Sequence, residues 1–450
     1  MMHRHPPERR MSVTRAGLVA VLLGLAAAAA VQCGPRRSAQ AAALDGVRRI
    51  VFLGDSITYG GQYIDYIDAY LVTRLPDRRF ELLDLGLPSE TVSGLSEPGH
   101  AGGKFPRPCL RERLGRLLPR TKPDLVVACY GMNDGIYYPF GEDRFKAYRD
   151  GILKLVDATK AAGARLLLLT PPTFDPVPIR ARTLPAGLDE YRQPYEGYDE
   201  VLARYTGWLL DQEKKGWLVG DVHGPMARHL AARRRADPGF RFAGDGVHAN
   251  ATGHWLMAEA VLGAWGGPPE VDYAMIDAAT PKVKAGKVSR LVADAAGLRF
   301  DWLTRRPMPA DPAWDAESMK LVRFGAWNQH RLLVLGLPAA RYQLYENETP
   351  LGTVTREELA AGIDLRHFAD LSSNRGGPEL LKLIRKRGRI LCDAYLSDIG
   401  HQRPGMAKGL PLDEALKQAA GLQEQIRPLA APATLHLRLA AEDAAAAAKP

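Results

Sequence analysis

Between residues 47 and 265, short and almost wholly apolar runs alternate with stretches whose apolar residues recur every three or four positions. That is the rhythm of repeated strand–helix units. The apolar runs are Val47–Leu53, Phe80–Leu87, "DLVVACYG" at 124–131, "ARLLLLTPP" at 164–172 and "WLVGDVH" at 217–223. Helical spacing runs through Tyr66, Tyr70 and Leu71, then across 111–118, 142–162, 195–214 and 252–264. Runs with no polar alternation suit strands buried on both faces. Joined by crossover helices, such strands pair in parallel. The pattern predicts an α/β fold: a doubly wound parallel sheet with helices on both sides.

After "GGPPEV" at 266–271 the rhythm breaks. Residues 270–440 read as a smaller accessory α+β region, forming its own domain or packing against the first. It opens with short strand-like runs, among them "RLLVLGLP" at 331–338 and a β-hairpin, "RYQLYENETPLGTV", at 341–354. Helices return from Glu357, with an amphipathic stretch at 412–426. The Ala-rich end, 441–450, reads as a disordered tail.

With 46% hydrophobic and 25% charged residues over 450 positions, the chain has the composition of a globular protein with more than one domain. Its net charge of +9 does not signal nucleic acid. The first 41 residues hold six arginines and one acid, so that segment alone carries +5. The other basic clusters, Arg233–Arg235 and Lys382–Arg389, read as solvated faces, with no aromatic residues interleaved to stack on bases.

Residues 1–41 instead read as a secretory signal. A basic lead ends at Arg15, a 16-residue apolar run spans Ala16–Val31, and Ala39-Gln40-Ala41 is a small-residue cleavage site. The run is short of the roughly 20 residues that cross a bilayer. The expectation is an exported protein, periplasmic or extracellular, without stable membrane insertion once the signal is removed. Lipid attachment at Cys33 is disfavoured by Gln32 before it. Cys129 reads as a small core residue, and Cys109 and Cys392 allow at most one disulfide. No Cys or His spacing indicates a metal site.

Four short segments fall just beyond strand ends or in the last loop: "GDS" at 54–56, "GLPSET" at 86–91, "GMND" at 131–134 and "GDGVH" at 244–248. In a parallel sheet they share one rim, and together they hold the parts that acyl transfer needs. Ser56 offers a hydroxyl that requires a nearby base. His248 is the candidate base, ahead of His100, His223 and His254. Asp245, three residues before His248, is placed to hold the other imidazole N–H. The Asn133 amide and the backbone N–H groups of Ser56 and of the turn near Ser89 are candidate oxyanion donors. Asp55, Tyr137 and Tyr138 are the candidate substrate contacts on this rim.

These blocks resemble the SGNH-hydrolase family, the GDSL esterases and lipases, over about residues 47–265. The first block matches at Gly54-Asp55-Ser56, the third at 131–134 and the fourth at 245–248. The resemblance implies a flavodoxin-like three-layer α/β/α sandwich, a serine nucleophile, and hydrolysis of acyl esters without metal or cofactor. The second block departs: "PSET" puts Ser89 where the family carries glycine, and Gly86 is the other candidate for that donor. The G-x-S-x-G elbow of α/β-hydrolases is not found around Ser56.

Aromatic residues crowd the same rim (Tyr59, Tyr63, Tyr130, Tyr137, Tyr138 and Phe140) and suit sugar faces. With export, this favours deacylation of a carbohydrate, a small-molecule or polysaccharide acyl ester whose acyl group is short, acetyl among the candidates. Two other readings stand beside it. One is a lipase, phospholipase or acyltransferase on the same triad; the other is a silent surface-binding module. The oligomeric state is not legible in the sequence.

Overall fold

The computed structural model describes residues 43–266, 272–294 and 297–442. The expected signal segment and the last residues of the expected tail lie outside them. Five strands, β1 (Arg49–Gly54), β2 (Glu81–Asp84), β3 (Leu125–Cys129), β4 (Arg165–Leu169) and β5 (Leu218–Gly220), pair in parallel in the order β2-β1-β3-β4-β5. This is the doubly wound parallel sheet that the apolar runs predict, in the flavodoxin-like order that the family resemblance implies. The central strands β1 and β3 are buried almost throughout, as continuous apolar runs require. The order reverses between β1 and β3, and a crevice therefore opens at their carboxyl ends.

The connecting helices are α1 (Ser56–Tyr59), α2 (Gln62–Arg74), α3 (Leu110–Thr121), α4 (Glu142–Ala161), α5 (Tyr198–Asp211), α6 (His223–Ala236) and α7 (Ala251–Ala264). Two of these go beyond what the pattern shows. The helix after β1 is split: Gly61 adopts φ 75°, so α1 is a single turn and α2 starts afresh. A one-turn helix has little macrodipole with which to favour charge at Ser56. Helix α6 was absent from the pattern, because Gly224-Pro225 reads as a turn; proline is nonetheless tolerated in a first helical turn. Its onset at His223 also cuts the fifth strand to three residues.

The C-terminal half divides. Strands β6 (Asp272–Asp277), β7 (Lys282–Ala285), β10 (His330–Leu335) and β13 (Ile363–Asp364) form one sheet. Strands β8 (Lys287–Asp294), β9 (Gly297–Thr304), β11 (Arg341–Glu346), β12 (Thr349–Thr355) and β14 (Ala433–Ala441) form another. Ile276, Leu332 and Val334 of the first sheet meet Phe300, Trp302, Leu344 and Leu437 of the second in a common core. The expected hairpin is β11–β12, turning at Asn347 (φ 51°).

Helices α8 (Gly377–Ile399) and α9 (Leu412–Ala430) do not join this sandwich. Their apolar faces, with Leu380, Ile384, Leu391, Leu396, Leu422 and Ile426, are buried in the core of the α/β/α layer. The chain then returns to the sandwich as β14, which pairs with β9 and with β11; Ala441, read as the start of the tail, is still in register with Tyr342 of β11.

The arginine clusters are also not simply solvated. Arg234 pairs with Asp175 at 2.5 Å, Arg385 with Asp311 and Arg387 with Asp68. Cys109, Cys129 and Cys392 are free thiols. No helix among the described residues is long and apolar enough to cross a membrane.

Candidate active site

Strand β1 can deliver a serine to the rim only because Gly54 lets α1 fold back over the sheet. A Cβ at Gly54 would lie 2.1 Å from the Thr58 hydroxyl and 2.8 Å from the Cys129 carbonyl. Asp55 is buried and caps α1, its Oδ1 accepting from the Ile57 N–H at 2.9 Å. It therefore faces the protein and not a substrate. Burial pushes its carboxyl up to about 7.

At the other end of the constellation, Gly246 (φ 82°) turns the loop that precedes α7. Asp245 Oδ1 accepts the N–H groups of Val247 and His248 at 3.0 and 2.9 Å. Its Oδ2 meets His248 Nδ1 at 2.6 Å, and His248 Nε2 meets Ser56 Oγ at 2.7 Å. Burial alone would raise the Asp245 carboxyl; the bonds from the His248 ring and backbone outweigh it and hold the group below the usual range. The carboxylate thus fixes the proton on Nδ1 and leaves Nε2 to accept from Ser56. The histidine and aspartate side chains are 50% and 52% exposed, so the pair opens to solvent.

The competing histidines lie elsewhere. His254 is buried with its ring stacked on Tyr63, and desolvation lowers it to about 4. His223 bonds Asp199 at 3.2 Å, and His100 bonds Glu97 at 3.4 Å.

The second block is decided by backbone geometry. Gly86 donates its N–H to Asp84 Oδ1 at 2.9 Å, and a Cβ there would lie 2.3 Å from the Tyr59 nitrogen. Its glycine serves the close crossing of α1, and its N–H is taken. Ser89 sits at φ 70° in the turn closed by Glu90 N–H to Leu87 O at 3.0 Å. With Pro88 before it, this is the type II arrangement that ordinarily calls for glycine.

The turn is held by Glu90, which accepts from Arg113 Nε and Nη2 at 2.7 Å each and from the Tyr130 hydroxyl at 2.6 Å. Ser89→Gly is expected to leave stability unchanged or to raise it by up to about 1.5 kcal/mol. Relief of roughly 1–2 kcal/mol of left-handed strain is offset by about 0.5–1 kcal/mol of extra chain entropy. Ester turnover should persist. Ser89→Val, branched at Cβ, should lower both stability and turnover. Urea unfolding and a rate assay check both.

Asn133 is buried in a turn tied to the second block, since Asp134 Oδ1 accepts the N–H groups of Val92 and Ser93 at 2.9 and 2.8 Å. Its Nδ2 donates to the Glu90 carbonyl at 3.3 Å. Its Oδ1 accepts from Arg107 Nη1 at 2.9 Å and from the Tyr137 hydroxyl at 3.1 Å. Tyr137 is thus engaged inward, and Tyr138 stands half-buried with its ring 5.0 Å from that of Tyr191. Tyr63 and Tyr130 belong to the core. Of seven non-glycine residues at positive φ among those described, three (Ser89, Ile136 and Tyr137) surround Asn133, a concentration of strain expected of a functional site.

Sequence reasoning missed Arg107 and Glu97. The only local signal is an arginine set between two prolines, Pro106 and Pro108.

Residues 52–256 match the GDSL-like lipase/acylhydrolase family. No curated protein matches the chain. Among solved structures, a gut microbial diltiazem-metabolizing enzyme is similar over 88% of this chain and 98% of its own, at 20% identity and a TM-score of 0.71. The two-part architecture is therefore shared as a fold. An acetylxylan esterase from Geobacillus stearothermophilus covers 49% of this chain with 94% of its own, at 20% identity and a TM-score of 0.37. A second acetyl xylan esterase covers 48% with 98% of its own, at 18% identity and a TM-score of 0.34.

Proposed function

Because its α/β/α domain belongs to the GDSL-like lipase/acylhydrolase family, and is that of an ester-bond hydrolase, we propose that this protein removes short acyl groups, acetyl among them, from carbohydrate by a Ser56–His248–Asp245 triad. The observation that carries the triad is the unbroken chain of two short contacts, Asp245 Oδ2 to His248 Nδ1 and His248 Nε2 to Ser56 Oγ. In the first step Oγ bonds to the acyl carbon, its proton passes to Nε2, and the carbonyl π pair moves onto oxygen. The N–H groups of Ser56 and Ser89 and the Asn133 amide face that oxyanion. Its collapse re-forms the carbonyl and breaks the bond to the sugar oxygen, which leaves with that electron pair and takes the proton from Nε2 to become the hydroxyl. Water then repeats the sequence on the acyl-serine and releases the acid.

The open, half-exposed imidazole and carboxylate suit a bulky polar alcohol carrying a small acyl group. The basic lead and apolar run of residues 1–41 support work outside the cytoplasm.

The test is acyl-chain profiling with p-nitrophenyl esters, beside acetate release from acetylated polysaccharides. The expected result is a maximum in kcat/KM at two to four carbons and a fall of at least about tenfold by eight. Rates that climb with chain length would favour a lipase on the same triad.

A further inference from the structure

An arginine in a loop ordinarily reaches into water, yet the Arg107 side chain is 7% exposed. Burying a guanidinium is costly unless its donors are met, and here each contact serves a common end. Nε and Nη2 form a two-pronged bond to Glu97, 2.7 Å on each prong. That fork fixes the plane of the group. Nη1, left over, donates to Asn133 Oδ1 at 2.9 Å. The guanidinium carbon stands 5.4 Å from the centre of the Tyr137 ring, and the hydroxyl of that tyrosine is the second donor to the same oxygen.

We propose that Arg107 is the positioning residue of the oxyanion site, setting which way the Asn133 amide points and strengthening its N–H donors.

A primary amide can be turned over, exchanging oxygen for nitrogen, unless its neighbours forbid it. A guanidinium has no acceptor. Turned over, the amide would set its NH2 group against Nη1 and also lose the Glu90 carbonyl as a partner. Both lone-pair directions of Oδ1 are filled, so Nδ2 is the only end free to face a reacting oxygen. One of its hydrogens goes to the Glu90 carbonyl and the other is left over. A positive charge on Oδ1 draws density from the amide and makes the remaining N–H a stronger donor. The charge acts at the right place: Arg107 and His248 are both among the groups that pull the buried Asp55 carboxyl down against the rise from desolvation.

This inference rests on the reading of Asn133 as an oxyanion donor. A purely structural Arg107 would pin the loop from Glu97 and do no more, so the test must separate the two. Turnover of p-nitrophenyl acetate is measured for Arg107→Ala, Asn133→Ala and the pair together. Arg107→Ala should lower kcat by about ten- to a hundredfold, with little change in KM, if it weakens one oxyanion donor. Placed on Asn133→Ala, the same change should cost less than about threefold, because its target is gone. Arg107→Lys, which can still donate to Oδ1, should recover part of the loss.

Should Arg107→Ala fail to fold, Tyr137→Phe deletes only the second donor to Oδ1. Its smaller loss of kcat should likewise vanish on Asn133→Ala. Equal losses with and without Asn133, or a change confined to KM, would overturn the proposal. A wild-type rate for Asn133→Ala alone would remove the oxyanion reading beneath it. Activity surviving Ser56→Ala would strike the triad itself, separately from either.

Discussion

Alanine at Ser56 or at His248 is expected to lower kcat by about 10⁴-fold or more, and the double variant should be scarcely worse than either. In the proposed mechanism the two groups, 2.7 Å apart, share one proton transfer, so removing either leaves the other without a task. Residual turnover would come from the oxyanion donors alone.

Asp245 supplies a finer distinction. Its Oδ1 is taken by two backbone N–H groups. An asparagine there must put its oxygen toward them and its NH2 toward His248 Nδ1. That arrangement places the imidazole proton on Nε2, where the base has to be free. Asp245→Asn should therefore cost on the order of 10³-fold or more. It should be worse than Asp245→Ala, in which water can reach the half-exposed ring. Steady-state rates for the four single variants and the double, with unfolding curves to show that each is folded, decide the matter. Near wild-type activity in Ser56→Ala would end the proposal.

The second large effect is expected in stability. Glu90 and Arg113 are 0% and 1% exposed and form two bonds of 2.7 Å. Arg113 also donates to the Leu85 carbonyl at 2.7 Å, and Tyr130 donates to Glu90. Such a pair adds little over an apolar replacement of both members, but losing one member strands a charge away from water. Glu90→Ala should destabilise the protein by about 3–5 kcal/mol. Glu90→Leu combined with Arg113→Met should recover much of that.

Turnover should fall as well in Glu90→Ala, because the carboxylate anchors the turn that holds Ser89 at positive φ and that places the Glu90 backbone carbonyl against the Asn133 amide. Chemical unfolding and kcat are the measurements. A loss below about 1 kcal/mol, the scale of an exposed pair, would show the ion pair to be dispensable.

Much of the site was legible because its chemistry is local. Asp245 and His248 lie three residues apart on one loop, so sequence spacing alone puts carboxylate and imidazole together. The rim shared by 54–56, 131–134 and 244–248 follows from parallel strands, since each strand must end on the same edge. The second block resisted the same logic. Whether Ser89 or Gly86 offers a free N–H depends on Asp84, which takes the Gly86 N–H. It depends also on Arg113, which anchors the turn from 23 residues away through Glu90.

By itself, then, the sequence determined the five buried strands, the serine at the tip of the first, its histidine and aspartate, and the β11–β12 hairpin. Each of these follows from burial pattern or from neighbours in the chain. Only the tertiary structure decided that α1 stops after one turn at Gly61. It alone showed that α8 and α9 leave the sandwich for the first core, and that Arg107 and Glu97 stand behind Asn133. An amphipathic face declares that something must cover it without saying what. A buried arginine looks like any other until its partner arrives from elsewhere in the chain. Contacts between distant residues are set by the topology that brings them together, and local pattern carries no record of them.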